Sequence, residues 1–138
     1  MEATQDLNIL HTIQKNQYSF GQSLRYIRVT QGLSLRKIAR AVSMTPTYIS
    51  DIERGNSRPP DSVLLGKLIQ ALTLDQASDG IRDYLYDLAA RERGEVSGDI
   101  VEYIMAQAEL RKLIRLARQR ENDKEIWQDC ISRLQQSY

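Results

Sequence analysis

The sequence predicts an all-α protein, on three observations. Apolar residues recur at three- and four-residue spacings along nearly the whole chain. No stretch of four or more residues alternates apolar and polar between turn residues, which is the pattern a half-buried strand requires. Ser, Thr or Asp repeatedly precedes an apolar run and Gly follows it, the order expected of helix caps.

The elements follow in order. Leu7, Leu10 and Ile13 share helical spacing but lack a strong cap, so residues 1–18 read as a short helix or an arm. Ser19 caps a helix over about 19–31 whose inner stripe is Phe20, Leu24 and Ile27, and Gly32 suits the left-handed conformation that ends it. Ser34 caps a second, two-turn helix with Leu35, Ile38, Ala39 and Val42 inward, stopping at Ser43-Met44. Thr45-Pro46 restarts the chain as a third, because Pro at the first helical position gives up no hydrogen bond. Tyr48, Ile49 and Ile52 form its stripe and Gly55 its end. Asp61 caps a fourth helix with Leu64, Leu65, Leu68, Ile69 and Leu72 inward. Beyond a polar connector at 73–80 come a stripe of Ile81, Tyr84, Leu85 and Leu88, and an Asp99-capped helix with Ile100, Ile104 and Met105. A run through Leu110, Leu113, Ile114 and Ala117 follows, and then a last helix opened by Asn122 and Glu125 and carrying Ile126, Trp127, Cys130, Ile131 and Leu134. The expected division is 1–18 arm or short helix, 19–75 first domain and 76–138 C-terminal helical extension.

Composition bounds the function. At 138 residues, 41% hydrophobic and 27% charged, the chain suits one domain or a small domain with an accessory piece, and a two-lobed enzyme does not fit. No apolar run approaches the roughly 18 residues of a membrane span, and the first residues lack a secretion signal. The lone Cys130 excludes an internal disulfide and a Cys-rich zinc site, fits a cytoplasmic location, and reads as a small core residue. His11 is the only histidine, and there is no Gly-rich phosphate loop and no metal-spaced ligand set, so neither catalysis, a cofactor nor a metal is expected. The net charge of +1 conceals a pattern: 19–72 carry +5, 73–98 carry −3, and 1–18 and 99–138 carry −1 and 0. A basic module followed by an acidic one points to a polyanion partner for the first domain alone.

The stretch Leu33–Gly55, LSLRKIARAVSMTPTYISDIERG, is specific. Two short helices joined by a three- to four-residue turn, the second polar outside, are what a helix-turn-helix needs to place one helix in the DNA major groove. Ala39 is small where the helices cross, and Ile38, Val42, Ile49 and Ile52 fill the space between them. Through Gly32-Leu33-Ser34, Ile38-Ala39, Tyr48-Ile49-Ser50, Ile52-Glu53-Arg54-Gly55 and the Pro59, Leu65 and Leu72 tail, residues 19–75 resemble the Cro/phage-repressor (XRE) DNA-binding domain. Two departures stand out. Ser43 occupies a turn position that is commonly Gly in that family, and Leu35 one where many members carry a backbone-contacting Gln.

The resemblance implies a lambda-repressor-like fold and, with helix geometry, assigns roles. Thr45, Pro46, Thr47 and Asp51 are candidate base readers, with Tyr48 adding a phosphate or thymine-methyl contact. Arg36, Ser50, Arg54, Asn56 and Arg58 are candidate phosphate binders, ahead of Lys37 and Arg40. Arg28 and Glu53 resemble a buried ion pair with a structural role. Thr47, Tyr48 and Asp51 also fit plain exposed helix positions. Trp127, Ile131 and Leu134 fit a core or a dimer seam, and Arg111, Lys112, Arg115, Arg118 and Arg120 fit a solvated face, with contact to flanking DNA as the alternative.

The expected function is a cytoplasmic, sequence-specific regulator of double-stranded DNA, a repressor acting as a homodimer through its C-terminal helices on a palindromic operator. The alternative is an antitoxin or adaptor that binds a partner protein and represses its own operon.

Overall fold

The computed structural model describes residues 2–74 and 79–136, and these contain nine helices and no strand. The helices are α1 (Glu2–Lys15), α2 (Phe20–Thr30), α3 (Leu35–Ala41), α4 (Pro46–Arg54), α5 (Ser62–Ala71), α6 (Asp79–Arg93), α7 (Gly98–Ala106), α8 (Ala108–Arg118) and α9 (Asp123–Gln136).

Local chemistry sets the starts. Ser19 and Gln22 form a reciprocal capping box at α2, with Gln22 N donating to Ser19 Oγ at 3.2 Å and Ser19 N to Gln22 Oε1 at 2.9 Å. The side chains of Ser34, Thr45 and Asp61 accept from Lys37 N, Tyr48 N and Leu64 N at 3.1, 3.1 and 2.9 Å. Each cap satisfies one amide that the helix itself leaves orphaned.

The chain divides into compact units at 1–99 and 100–138, so α7 crosses the division. The boundary expected from the sequence, 75/76, falls in a connector of which 75–78 lie outside the described residues. Residues 79–99 belong with the first unit because α6 packs on α1, α2 and α5. Its Ile81, Leu85 and Ala89, spaced four apart on one face, are all within 2% of full burial.

The N-terminal segment is also part of this core. Ile9 and Ile13, not the expected Leu7, face inward, and Leu7 is 65% exposed. Two residues of α-helix turn through about 200°, so burying Ile9 against α6 puts Leu7 on the opposite side.

In the second unit the predicted inward stripes are not buried. α7 and α9 contain no buried residue, and α8 buries only Ala117. Ile100, Met105, Leu113 and Ile114 are exposed, Cys130 is half-buried rather than core, and α7 begins at Gly98 with Asp99 inside its first turn. Three short helices in fewer than about 40 residues enclose too little volume for a core of their own.

Candidate nucleic-acid interface

α3 and α4 meet through Ile38, Ala39, Val42, Ile49 and Ile52, each no more than 3% exposed. The turn between them closes with Met44 N donating to the Ala39 carbonyl at 2.9 Å, and Ser43 takes a left-handed φ of +59°. A non-glycine residue in that region costs roughly 1–2 kcal/mol, which the packing of both helices sustains.

With its apolar side sealed, α4 presents Thr45, Pro46 and Thr47 to solvent, and Asp51, one turn beyond Thr47, half-exposed. Ser50 is also half-buried, and Tyr48 packs against the core with part of its ring covered. Arg36 stands exposed in the first turn of α3, with Lys37 and Arg40 exposed further along the same helix. After α4, Gly55 turns the chain at φ +77°, and the amides of Asn56 and Ser57 donate back to the Asp51 carbonyl at 2.8 and 3.2 Å. That turn leaves Arg54, Asn56 and Arg58 exposed in succession.

A buried pair anchors this surface. Arg28 Nε and Nη2 donate to Glu53 Oε2 and Oε1 at 2.6 and 3.0 Å, and Arg28 Nη1 donates to the Leu33 carbonyl at 2.9 Å. Their side chains are 13% and 5% exposed. One guanidinium thereby ties α2, the turn before α3 and the end of α4 together, and removing either partner leaves a buried charge at a cost of about 3–5 kcal/mol.

Three supporting residues escaped sequence reasoning. Gly21 lets α2 lie against the end of α4, since a β-carbon there would meet the Ile52 and Glu53 carbonyl oxygens at 2.3 and 2.7 Å. Glu92 accepts the first amide of α2, Phe20 N, on Oε2 at 2.7 Å. Arg93 Nη1 donates to the Pro59 carbonyl at 2.8 Å. Glu92 and Arg93 sit 72 and 34 residues from their partners, a distance no local pattern reports. Gly21 does leave a trace, as a glycine inside an otherwise regular helical stripe.

Residues 24–75 match the protein-family model described as helix-turn-helix. No curated protein and no solved structure matches the chain.

Proposed function

We propose that this chain, a helix-turn-helix regulator whose residues 24–75 are a DNA-binding domain of the Cro/phage-repressor (XRE) type, is a sequence-specific repressor that binds a palindromic operator as a homodimer. The observation that carries the reading is the α4 surface: an outer face of Thr45, Pro46, Thr47 and Asp51, with the exposed cation Arg54 in its last turn and Arg36 and Arg58 on the segments before and after it.

In this reading the start of α4 enters the major groove and its side chains meet base edges. Asp51 accepts from a cytosine amino group, Pro46 and the Thr47 methyl meet thymine methyls, and Tyr48 adds a phosphate or thymine-methyl contact. Arg36, Ser50, Arg54, Asn56 and Arg58 hold phosphates, which fixes the domain's register without reading sequence. The capped starts of α3 and α4 add amide dipoles that favour a phosphate.

A single domain of this size makes few contacts, whereas a twofold dimer reads two half-sites about one helical turn, roughly 34 Å, apart. The second unit supports self-association: Tyr103, Met105, Leu116, Ile131 and Leu134 are each more than half exposed.

The test is selection of genomic fragments by the full chain together with its solution mass. The reading expects a dimer that selects inverted repeats, and Arg36→Ala or Arg54→Ala that weakens binding to every sequence while lowering the salt slope by about one each. Thr47→Ser, which removes the methyl and keeps the hydroxyl, is expected to change the preference between sites. A monomer that selects nothing overturns the repressor, and a small copurifying protein would put an antitoxin or adaptor in its place.

A further inference from the structure

The last turn of α6 is used twice at the border of the α4 surface, in contacts that a compact fold alone does not demand. Arg93 donates through Nη1 to the Pro59 carbonyl at 2.8 Å and pairs through Nε with Glu95 at 3.3 Å. In return Arg58 Nη2 donates to the carbonyl of Arg93 at 3.2 Å, at the helix end where unpaired carbonyls concentrate negative potential.

We infer that Arg93 is a positioning residue for DNA binding, holding the 55–60 loop so that Arg58 offers its remaining N–H donors to a DNA phosphate. The inference rests on the reading that this loop faces DNA. A guanidinium has five donors, and one spent on a carbonyl leaves four. Arg58 lies in the sequence Arg58-Pro59-Pro60, where each proline fixes its own φ and restricts the residue before it. The backbone is therefore already stiff, and its orientation is set where it is gripped, at the Pro59 carbonyl. The grip on the Pro59 carbonyl fixes the backbone from which Arg58 projects, and fixing it in advance removes ordering cost from the binding step, an effect of roughly three- to tenfold in affinity for one long side chain. Arg93 itself is three-quarters covered and faces the loop, not the α4 reading surface.

The experiment is a double-mutant cycle in the full chain, with Arg58→Ala, Arg93→Met and the pair. It is read by anisotropy of a mixed-sequence DNA duplex across a salt series, with circular dichroism checking that each variant is folded. Methionine keeps the apolar stem and removes the fork. Arg58→Ala is expected to weaken binding and lower the salt slope by about one. Arg93→Met is expected to weaken binding roughly three- to tenfold in the parent and by less than about twofold once Arg58 is gone. An Arg93→Met loss of equal size in both backgrounds, or no loss, overturns the positioning role while leaving the DNA reading intact. If Arg58→Ala alone changes neither affinity nor slope, the loop does not face DNA and both fall together.

Discussion

Replacing Gly21 by alanine tests whether the α2–α4 contact sets the position of α4, the helix proposed to read DNA. The added methyl would sit 2.3 Å from the Ile52 carbonyl oxygen, 2.7 Å from that of Glu53 and 3.0 Å from the Glu53 carbonyl carbon. The first is about an ångström short of the 3.4 Å at which ordinary contact begins, and all three atoms are backbone, so no side chain can swing away. The two helices must part, pulling at the Arg28–Glu53 pair and the Ile27 and Ile52 core. Overpacking of this kind costs about 1–3 kcal/mol, against which alanine recovers up to about 1 kcal/mol of helix propensity. A net loss of about 1–2 kcal/mol is expected by urea unfolding, with weaker DNA binding because α4 is displaced. Gly66→Ala is the internal control: its new methyl meets only the Tyr86 hydroxyl at 3.0 Å, the far end of a side chain, so that variant keeps its helix-propensity gain and is expected to be neutral to about 1 kcal/mol more stable. If Gly21→Ala is as stable as Gly66→Ala and binds DNA undiminished, the close approach of α2 to α4 is not what positions α4.

Three further outcomes are expected. Ser43→Gly relieves a side chain held at φ +59° and is expected to raise stability by roughly 0.5–1 kcal/mol, measured by denaturant midpoint. A chain ended after Asp99 is expected to unfold cooperatively, whereas one ended after Leu74 loses α6 and is expected to lack a melting transition. The buried Ile81 and Leu85 alone are each worth about 1.5–3 kcal/mol. Burial first, and then the carboxylates of Asp99 and Asp83, hold Asp87 above the usual carboxylate range. A raised folded-state value means that ionisation opposes folding, so Asp87→Asn is expected to raise Tm at neutral pH, with the difference shrinking as pH falls through that raised value towards the unfolded one.

The helix-turn-helix was legible because its signals are local. Each cap satisfies an amide three residues away, as Ser34 does for Lys37 and Thr45 for Tyr48, so cap and helix start appear together in the sequence. The left-handed turns at Gly32 and Gly55 are written in residue type, while Ser43, equally left-handed, is not. What lay beyond reading was set by partners distant in sequence. The phase of α1 follows from α6, which decides that Ile9 rather than Leu7 is buried. The first unit likewise extends past the connector because Ile81 and Leu85 have a core to enter, although their own stripe reads the same either way.

The composition of α4 bears on how selectivity arises in the proposed repressor. Between Pro46 and Glu53 the helix carries no Arg, Asn or Gln, the residues that make forked contacts to guanine or adenine. Each such contact absent forgoes about 1–3 kcal/mol of discrimination per half-site. The exposed positive groups instead lie at the helix's C-terminal end, at Arg54, and on the segments either side of it, at Arg36 and Arg58, where in the proposed reading they meet phosphates and report the path of the backbone rather than its bases. A protein built this way gains its discrimination from how readily a site adopts the backbone path that these cations require, and from the fixed spacing of two half-sites. Holding Arg58 rigidly then contributes to specificity as well as affinity, because a guanidinium free to follow any phosphate would accept any groove shape.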